Sequence, residues 1–281
     1  SVFATTSKLA KSIRENPRPI LLECMTFRMR GHEEASGTKY YPEGMAEKWA
    51  EKDPVTNYES YLLAEGIISQ EEIDTFKTEI KQEINDALAV ADAEPAVEFN
   101  LEKEMGDVYA PFEYKQIDPE NDKKTNKRLI DAISDALGQS MVKHPNLILM
   151  GQDISDYGGV FKVTDGFVEA FGKDRVRNTP LCESAILGAA LGLSVNGYKA
   201  MVEMQFADFV TEGFTQIVNN LAKIHYRWGQ NADVVVRMPT GAGVAAGPFH
   251  SQSNEAWFTH TPGLKVVYPA FPYDAKGLLN T

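Results

Sequence analysis

The stretch that decides the fold is residues 175–204, RVRNTPLCESAILGAALGLSVNGYKAMVEM. Arg175-Val176-Arg177 reads as a short strand, and Thr179-Pro180 ends it. From about Cys182 to Ser194 the chain carries small and apolar residues with Glu183 as its one charge, which suits a buried helix. Ala200 to Met204 then reads as a second strand. A strand, a helix and a strand in direct succession form the crossover that joins parallel strands.

The alternation continues on both sides. Upstream, a helix over Leu129–Val142 leads to the apolar strand Leu147-Ile148-Leu149-Met150. Downstream the pattern predicts a long helix from about Phe209 to Trp228 and a strand at Val234-Val235-Val236 entering a glycine-rich loop. A further strand is expected at Lys265-Val266-Val267-Tyr268, followed by a helix from near Tyr273. The expected fold class is therefore α/β, a parallel sheet with helices on both faces, over residues 125–281.

The first part of the chain reads differently. A helix over Thr5–Arg14 is broken by Pro17 and Pro19, and residues 20–25, ILLECM, form a buried-strand candidate. After a polar loop, Ser69 and Glu72 make a capping box for a helix whose apolar residues are Ile73, Phe76, Ile80, Ile84 and Leu88. Pro95 stops that helix. Residues 99–124 are acidic, without clear periodicity, and read as a linker between a region 1–98 and the sheet domain.

Composition narrows the function. The 281 residues carry a formal net charge of −12, which argues against nucleic acid or an anionic membrane as partner. The most apolar uncharged run, Ser184–Tyr198, falls short of the roughly 20 residues a membrane helix needs. Cys24 and Cys182 form no CxxC, fitting a reducing, cytoplasmic setting, and the five histidines show no metal-ligand spacing. The chain stops inside an apolar helix at Leu278–Thr281 and begins without Met, so an internal fragment is expected.

Two residues stand out for chemistry. Glu183 is surrounded in sequence by Leu181, Ile186, Leu187, Ala189, Ala190 and Leu191, and a carboxyl in apolar surroundings is a mark of functional sites. A helix's first turn also favours an anion for purely structural reasons, so the residues alone leave both readings open. His250 closes the loop that starts at Gly241, placed where α/β sheets bind ligands, and it can act as acid or base near neutral pH. That loop lacks the dinucleotide spacing, and no GxSxG elbow is present. Arg28-Met29-Arg30-Gly31-His32 suits an anionic ligand such as a diphosphate.

Together these stretches resemble the decarboxylating component of branched-chain 2-oxo acid and pyruvate dehydrogenase complexes. Residues 20–54 resemble the C-terminal part of the family's α subunit, and 126–281 the start of its β subunit. GGVFKVTDGF (158–167), RVRNTPLCE (175–183), MVEMQFADF (201–209) and FHSQSNEAWFTHTPGLKVVYP (249–269) carry the likeness. Both in one polypeptide, α before β, resemble the fused form of this component.

The resemblance implies thiamin diphosphate as cofactor and the thiamin-diphosphate-binding fold. It makes Glu183 the glutamate that hydrogen-bonds the aminopyrimidine, with Leu181, Gln205 and Phe209 as further pyrimidine contacts. His250 matches the histidine near the substrate and the reductive acylation step. His32 matches the histidine near the diphosphate and the substrate channel. No metal ligands are expected here, because the family's magnesium motif would precede Ser1; the chain alone is expected to be inactive. Gln152 stands where the family usually has an acid, which puts any charged network there in question.

The implied reaction is decarboxylation of a branched-chain 2-oxo acid, with acyl transfer to a lipoyl-bearing acyltransferase, in a homo-oligomer. Pyruvate is the competing substrate. A transketolase-like transferase and a non-catalytic assembly fragment are the other readings.

Overall fold

A parallel sheet can be buried on both faces only if each strand is apolar on both, and LILMG, residues 147–151, meets that condition. In the computed structural model, which describes residues 2–31, 37–113, 118 and 121–281, all five of these residues are buried. The chain divides into two units, Ser1–Val97 and Glu98–Thr281.

The first unit contains the helices α1 (Val2–Glu15), α2 (Met45–Ala50), α3 (Pro54–Ala64) and α4 (Gln70–Ala93). Asp53 caps α3, its Oδ1 accepting from the amides of Val55 and Thr56 at 2.9 Å each, with Pro54 at the first helical position. The expected capping box starts α4. Glu72 donates its amide to Ser69 Oγ (3.2 Å), and Ser69's amide donates to Glu72 Oε2 (2.8 Å). The Ser69 amide, and after it the Ser69 hydroxyl, which also donates to Glu72 Oε2 (2.8 Å), hold the Glu72 carboxyl below its usual range.

The unit's core is thin. Ile73 is its one buried apolar residue among those described, and Phe76, Ile80, Ile84 and Leu88 on the same stripe are exposed. The strand expected at residues 20–25 does not form; Leu21 is 98% exposed. A strand exists through its hydrogen-bonded neighbours, and the described residues of this unit contain no other strand. Phe27 instead gathers Tyr41 and Trp49, with ring centroids at 5.0 and 5.9 Å.

The second unit opens with α5 (Leu101–Asp107), so the segment expected to be a bare linker holds a short helix, capped by Asn100 Oδ1 on the Lys103 amide. Then come α6 (Leu129–Lys143), β1 (Leu147–Gly151), α7 (Phe167–Phe171), β2 (Val176–Asn178), α8 (Glu183–Val195), β3 (Lys199–Glu203), α9 (Ile224–Trp228), β4 (Val234–Arg237), α10 (Glu255–Thr259) and α11 (Pro272–Asn280). The four strands are all parallel, in the order β2-β1-β3-β4.

Side chains alternate strictly between the two faces, as a two-residue period requires. Ile148, Met150, Ala200 and Val202 join Ile186, Leu187 and Ala190 of α8 in one core. Leu147, Leu149 and Met201 join Leu137 and Met141 of α6 in the other. Each fully buried side chain of this size contributes about 1.5–3 kcal/mol through apolar burial. The expected α/β architecture is present. On the α6 side, α11 also docks, with Asn280 Oδ1 accepting from Ser140 Oγ at 3.1 Å.

Two expectations fail in this unit. Residues 265–268 pair with nothing in the sheet, and Val267 and Tyr268 are each 60% exposed. The long helix over 209–228 is instead a 3₁₀ turn (Ala207–Gly213), a π-helical turn (Gln216–Leu221) and α9. The break follows from close packing on α8: a Cβ on Gly213 would lie 2.3 Å from Leu187 Cδ1, so this segment's backbone touches its neighbour directly. No helix among the described residues is long and apolar enough to cross a membrane.

Glu203 and Arg237 face each other in register at the ends of β3 and β4 and form an ion pair, Glu203 2% exposed. Arg237→Leu should destabilise the chain by about 3–5 kcal/mol, because it strands a buried carboxylate. Adding Glu203→Leu should recover most of that loss, and denaturant midpoints of the two variants measure both. At α4 the sign is that of a depressed carboxylate. The cap's contribution is present above the ordinary Glu value and is lost as pH falls through the lower folded value. A carbon-detected titration of Glu72 should give a midpoint below 4.5, and Ser69→Ala should raise it only in part, because the backbone amide that contributes most is kept.

Candidate functional site

Parallel strands all end on the same edge of their sheet, and here the four exits carry the residues of interest. Gln152 and Asp153 follow β1, and Leu181 and Glu183 follow β2. Gln205, Phe206 and Phe209 follow β3, and the loop from Gly241 to His250 follows β4. Such an edge is the usual ligand site of open α/β sheets.

The β1 exit is a tight, tied loop. Thr164 Oγ1 donates to the Ile154 carbonyl (2.6 Å), and the Ser155 amide donates to Oδ1 of Asn178, the last residue of β2 (2.8 Å). Gly158 has φ of 78°, and a Cβ there would come within 2.8 Å of the Asp165 Cα, so only glycine fits. The Thr179 amide returns to the Gly151 carbonyl (3.0 Å), which aligns the approach to α8.

Glu183 sits in the first turn of α8, where the exposed amides favour an anion. It is half-buried and not isolated, as its sequence neighbours suggest: buried Gln152 donates from Nε2 to Glu183 Oε1 at 3.0 Å. The residue that breaks the family's acidic pattern is thus the partner of the carboxyl. Gln152 Oε1 is buried without a partner. Next to it, Asp153 adopts φ of 59° and accepts from Gln205 Nε2 at 3.2 Å.

The β3 and β4 exits meet in an aromatic cluster. His250 lies edge-on to Phe206 and Phe209, ring centroids at 5.1 and 5.3 Å, and Phe161 packs edge-on against Phe206 at 5.7 Å. The glycine-rich loop is pinned at its base. The carbonyl of Gln252 accepts from the Gly241 amide (3.0 Å) and from Thr240 Oγ1 (2.8 Å), and the Gln252 amide donates to Asp208 Oδ1 (3.2 Å). Asn254 Nδ2 donates to the Ala207 carbonyl at 3.0 Å.

Of the residues singled out in the sequence, the structure gathers Phe209 with His250, and Gln205 with the loop that also holds Glu183's partner. Leu181 is 83% exposed. His32 lies outside the described residues. Gln152, Asp153, Asp208 and Asn254 were missed as site builders. For Gln152 and Asp153 the available signal is a polar residue one or two positions past an apolar strand; Asp208 and Asn254 lie farther from the strand ends and carry no such signal. Among the described residues, no three His, Cys, Asp or Glu side chains come together as a metal site.

A carboxyl fixed at one oxygen, an unpaired buried amide oxygen beside it and edge-packed aromatics fit a flat, nitrogen-containing ring that donates and accepts hydrogen bonds. The sequence comparisons bear on which ring. Residues 126–281 match the model of the transketolase pyrimidine binding domain, and residues 2–100 that of the dehydrogenase E1 component. The 2-oxoisovalerate dehydrogenase subunit beta of Bacillus subtilis is 47% identical over 153 residues, covering 54% of this chain and 47% of its own. The pyruvate dehydrogenase E1 component subunit beta of Acholeplasma laidlawii is 44% identical with the same coverage. A solved chain described as a split gene transketolase, inactive beta4 tetramer, superposes with a TM-score of 0.42 at 22% identity, over 54% of this chain and 45% of its own.

The chain spans about half the length of the curated relatives it matches. With more than half of its residues matched by one family model, it belongs to the transketolase pyrimidine-binding-domain family, and the relatives named here are β subunits of 2-oxo acid dehydrogenases.

Proposed function

We propose that this chain holds the aminopyrimidine of thiamin diphosphate in an enzyme that oxidatively decarboxylates a branched-chain 2-oxo acid. The observation that carries the reading is Glu183, held by Gln152 at the carboxyl edge of a pyrimidine-binding-family domain. When bound, the cofactor would supply a thiazolium carbon acidic enough to give a carbon nucleophile, and a ring able to accept the electron pair released as carbon dioxide leaves.

In this reading Glu183 holds a proton on a pyrimidine ring nitrogen, and Gln152 fixes which carboxyl oxygen faces the ring. Phe209, Gln205 and Leu181 form the ring's walls. His250, at the mouth, donates or holds a proton during acyl transfer to a lipoyl-bearing acyltransferase. His32 belongs to the diphosphate side.

We assign residues 1–98 to an α-type region, 99–124 to a linker and 125–281 to a β-type domain, in the manner of a fused polypeptide. Both types of family match on a single chain support that order. The assembly is a homo-oligomer in the cytoplasm. The preference for a branched-chain acid rests on QFADF (205–209) and HSQSNEA (250–256). Pyruvate is the second reading, favoured by the pyruvate-type relative at 44% identity.

Calorimetric titration with thiamin diphosphate and magnesium should show tight binding by a form extended to the relatives' full length, and much weaker binding by this chain. In the extended form Glu183→Gln should lower decarboxylation by about 10²-fold or more, and Phe209→Ala should weaken cofactor binding. No binding by either form would remove the cofactor assignment. A higher kcat/KM for pyruvate than for 3-methyl-2-oxobutanoate would decide for the second reading.

A further inference from the structure

Asp208 has no assigned role, yet it sits where the aromatic cluster and the glycine-rich loop join. The residue is 7% exposed. Oδ1 accepts from the Gln252 amide at 3.2 Å, while Oδ2 is buried with no partner. Keeping a carboxylate in such a place is costly, so the one contact it makes calls for a reason.

The contact is placed to matter. Asp208 lies between Phe206 and Phe209 in sequence, and Gln252 lies two residues after His250. Thus the residue that accepts from the loop's base is carried by the same 3₁₀ turn as the ring against which His250 packs. The loop's own hydrogen bonds, Ala246 N–H to Ser251 Oγ (3.1 Å), Ala245 N–H to the Ala242 carbonyl (3.0 Å) and His250 N–H to the Gly247 carbonyl (3.3 Å), are internal and do not fasten it to the sheet. Residues 242–249 are exposed, Ala245 and Gly247 have positive φ, and the ties of Gly241 and Thr240 both end on the Gln252 carbonyl. Those two bonds close the loop on itself through β4's exit; the bond to Asp208 fastens the closed loop to the β3 exit. Asn254 adds a second fastening three residues beyond Ser251.

We infer that Asp208 is a positioning residue: through the Gln252 amide it latches the Gly241–Gln252 loop so that His250 stays against Phe206 and Phe209. The inference rests on the reading above for what His250 does, but the latch itself is a property of this chain. Asp208→Asn keeps an oxygen acceptor at Oδ1 and removes the unpaired charge, so it should retain the latch. Asp208→Ala removes the acceptor and should release it.

The first test needs no cofactor. Amide exchange at residues 241–252 and the rate of His250 modification by diethyl pyrocarbonate, both read by mass spectrometry, should rise about tenfold in Asp208→Ala, the size expected for one lost hydrogen bond. Both should stay near the parent values in Asp208→Asn, with exchange in β1 and β3 unchanged throughout. If the alanine variant does not fold, Asp208→Val fills the volume without an acceptor and is read in the same way.

In the extended enzyme, Asp208→Ala should lower kcat for lipoyl acylation with little change in thiamin diphosphate affinity, and Asp208→Asn should restore it. Unchanged exchange and unchanged His250 reactivity in the alanine and valine variants would overturn the latch. Full lipoyl acylation by His250→Ala would overturn the role given to His250 instead, and the exchange result would still decide the latch.

Discussion

Everything at the candidate site depends on the parallel pairing of four short strands. Parallel strands cannot be joined by tight hairpins, so each connection must cross the sheet and return, and the returning helices cover both faces. The strict alternation along β1 and β3, with Ile148 and Ala200 to one side and Leu149 and Met201 to the other, is what makes both faces buryable. The same direction of travel brings the four strand exits to one edge. Gln152, Glu183, Gln205 and His250 are far apart in sequence and share that edge because no strand runs the other way. A register slip of one residue in β1 would turn Leu149 and Ile148 to the wrong cores, so packing energy fixes the position of Gln152 as firmly as any local contact.

Polar groups at this edge are bought at the expense of desolvation, and the structure meets that cost unevenly. Glu203 and Arg237 neutralise each other at the ends of adjacent strands, yet Arg237 Nε is left buried without a partner. Gln152 spends its amide hydrogen on Glu183 and leaves its oxygen unpaired; Asp208 accepts the Gln252 amide through one oxygen only. Four of the six such atoms among the described residues, those of Gln152, Thr179, Asp208 and Arg237, lie at a strand end or in the segment that follows one, and the other two, His225 Nδ1 and Glu255 Oε2, lie on α9 and α10. In the proposed function a ligand's donors and acceptors would complete the pairing of the first group in part.

The sequence makes the sheet legible because two periods, two and 3.6, are written in residues that are buried for reasons of packing. Four strands and the helices α6 and α8 follow from that alone, with ends displaced by one residue at most positions. Residues 20–25 and 265–268 mislead for one reason: short apolar runs suggest a buried extended backbone, while pairing is decided by a neighbour that the local sequence does not name. The helix over 209–228 fails differently, because its path is set by contact between Gly213 and α8, a tertiary fact. At the site, Glu183 is visible as a charge among apolar residues, but Gln152 and Asp208 are not, since a neutral amide and an acid among aromatics look like ordinary surface residues until the strand exits are brought together.

The family includes relatives named for 2-oxoisovalerate and for pyruvate at nearly the same identity to this chain, 47% and 44%. In the proposed function the polar and aromatic groups at the strand exits would face the cofactor ring and the carbonyl and carboxylate that every 2-oxo acid shares. Two acids that differ in a few methyl or methylene groups are told apart by apolar walls, and each such group is worth only about 1–3 kcal/mol of discrimination. A handful of wall substitutions can therefore change the preferred acid while Glu183, Gln152 and the loop fastened at Asp208 stay as they are. Overall identity is dominated by the sheet and its cores, which are indifferent to that choice, so substrate preference has to be sought in the few side chains that line the acyl group.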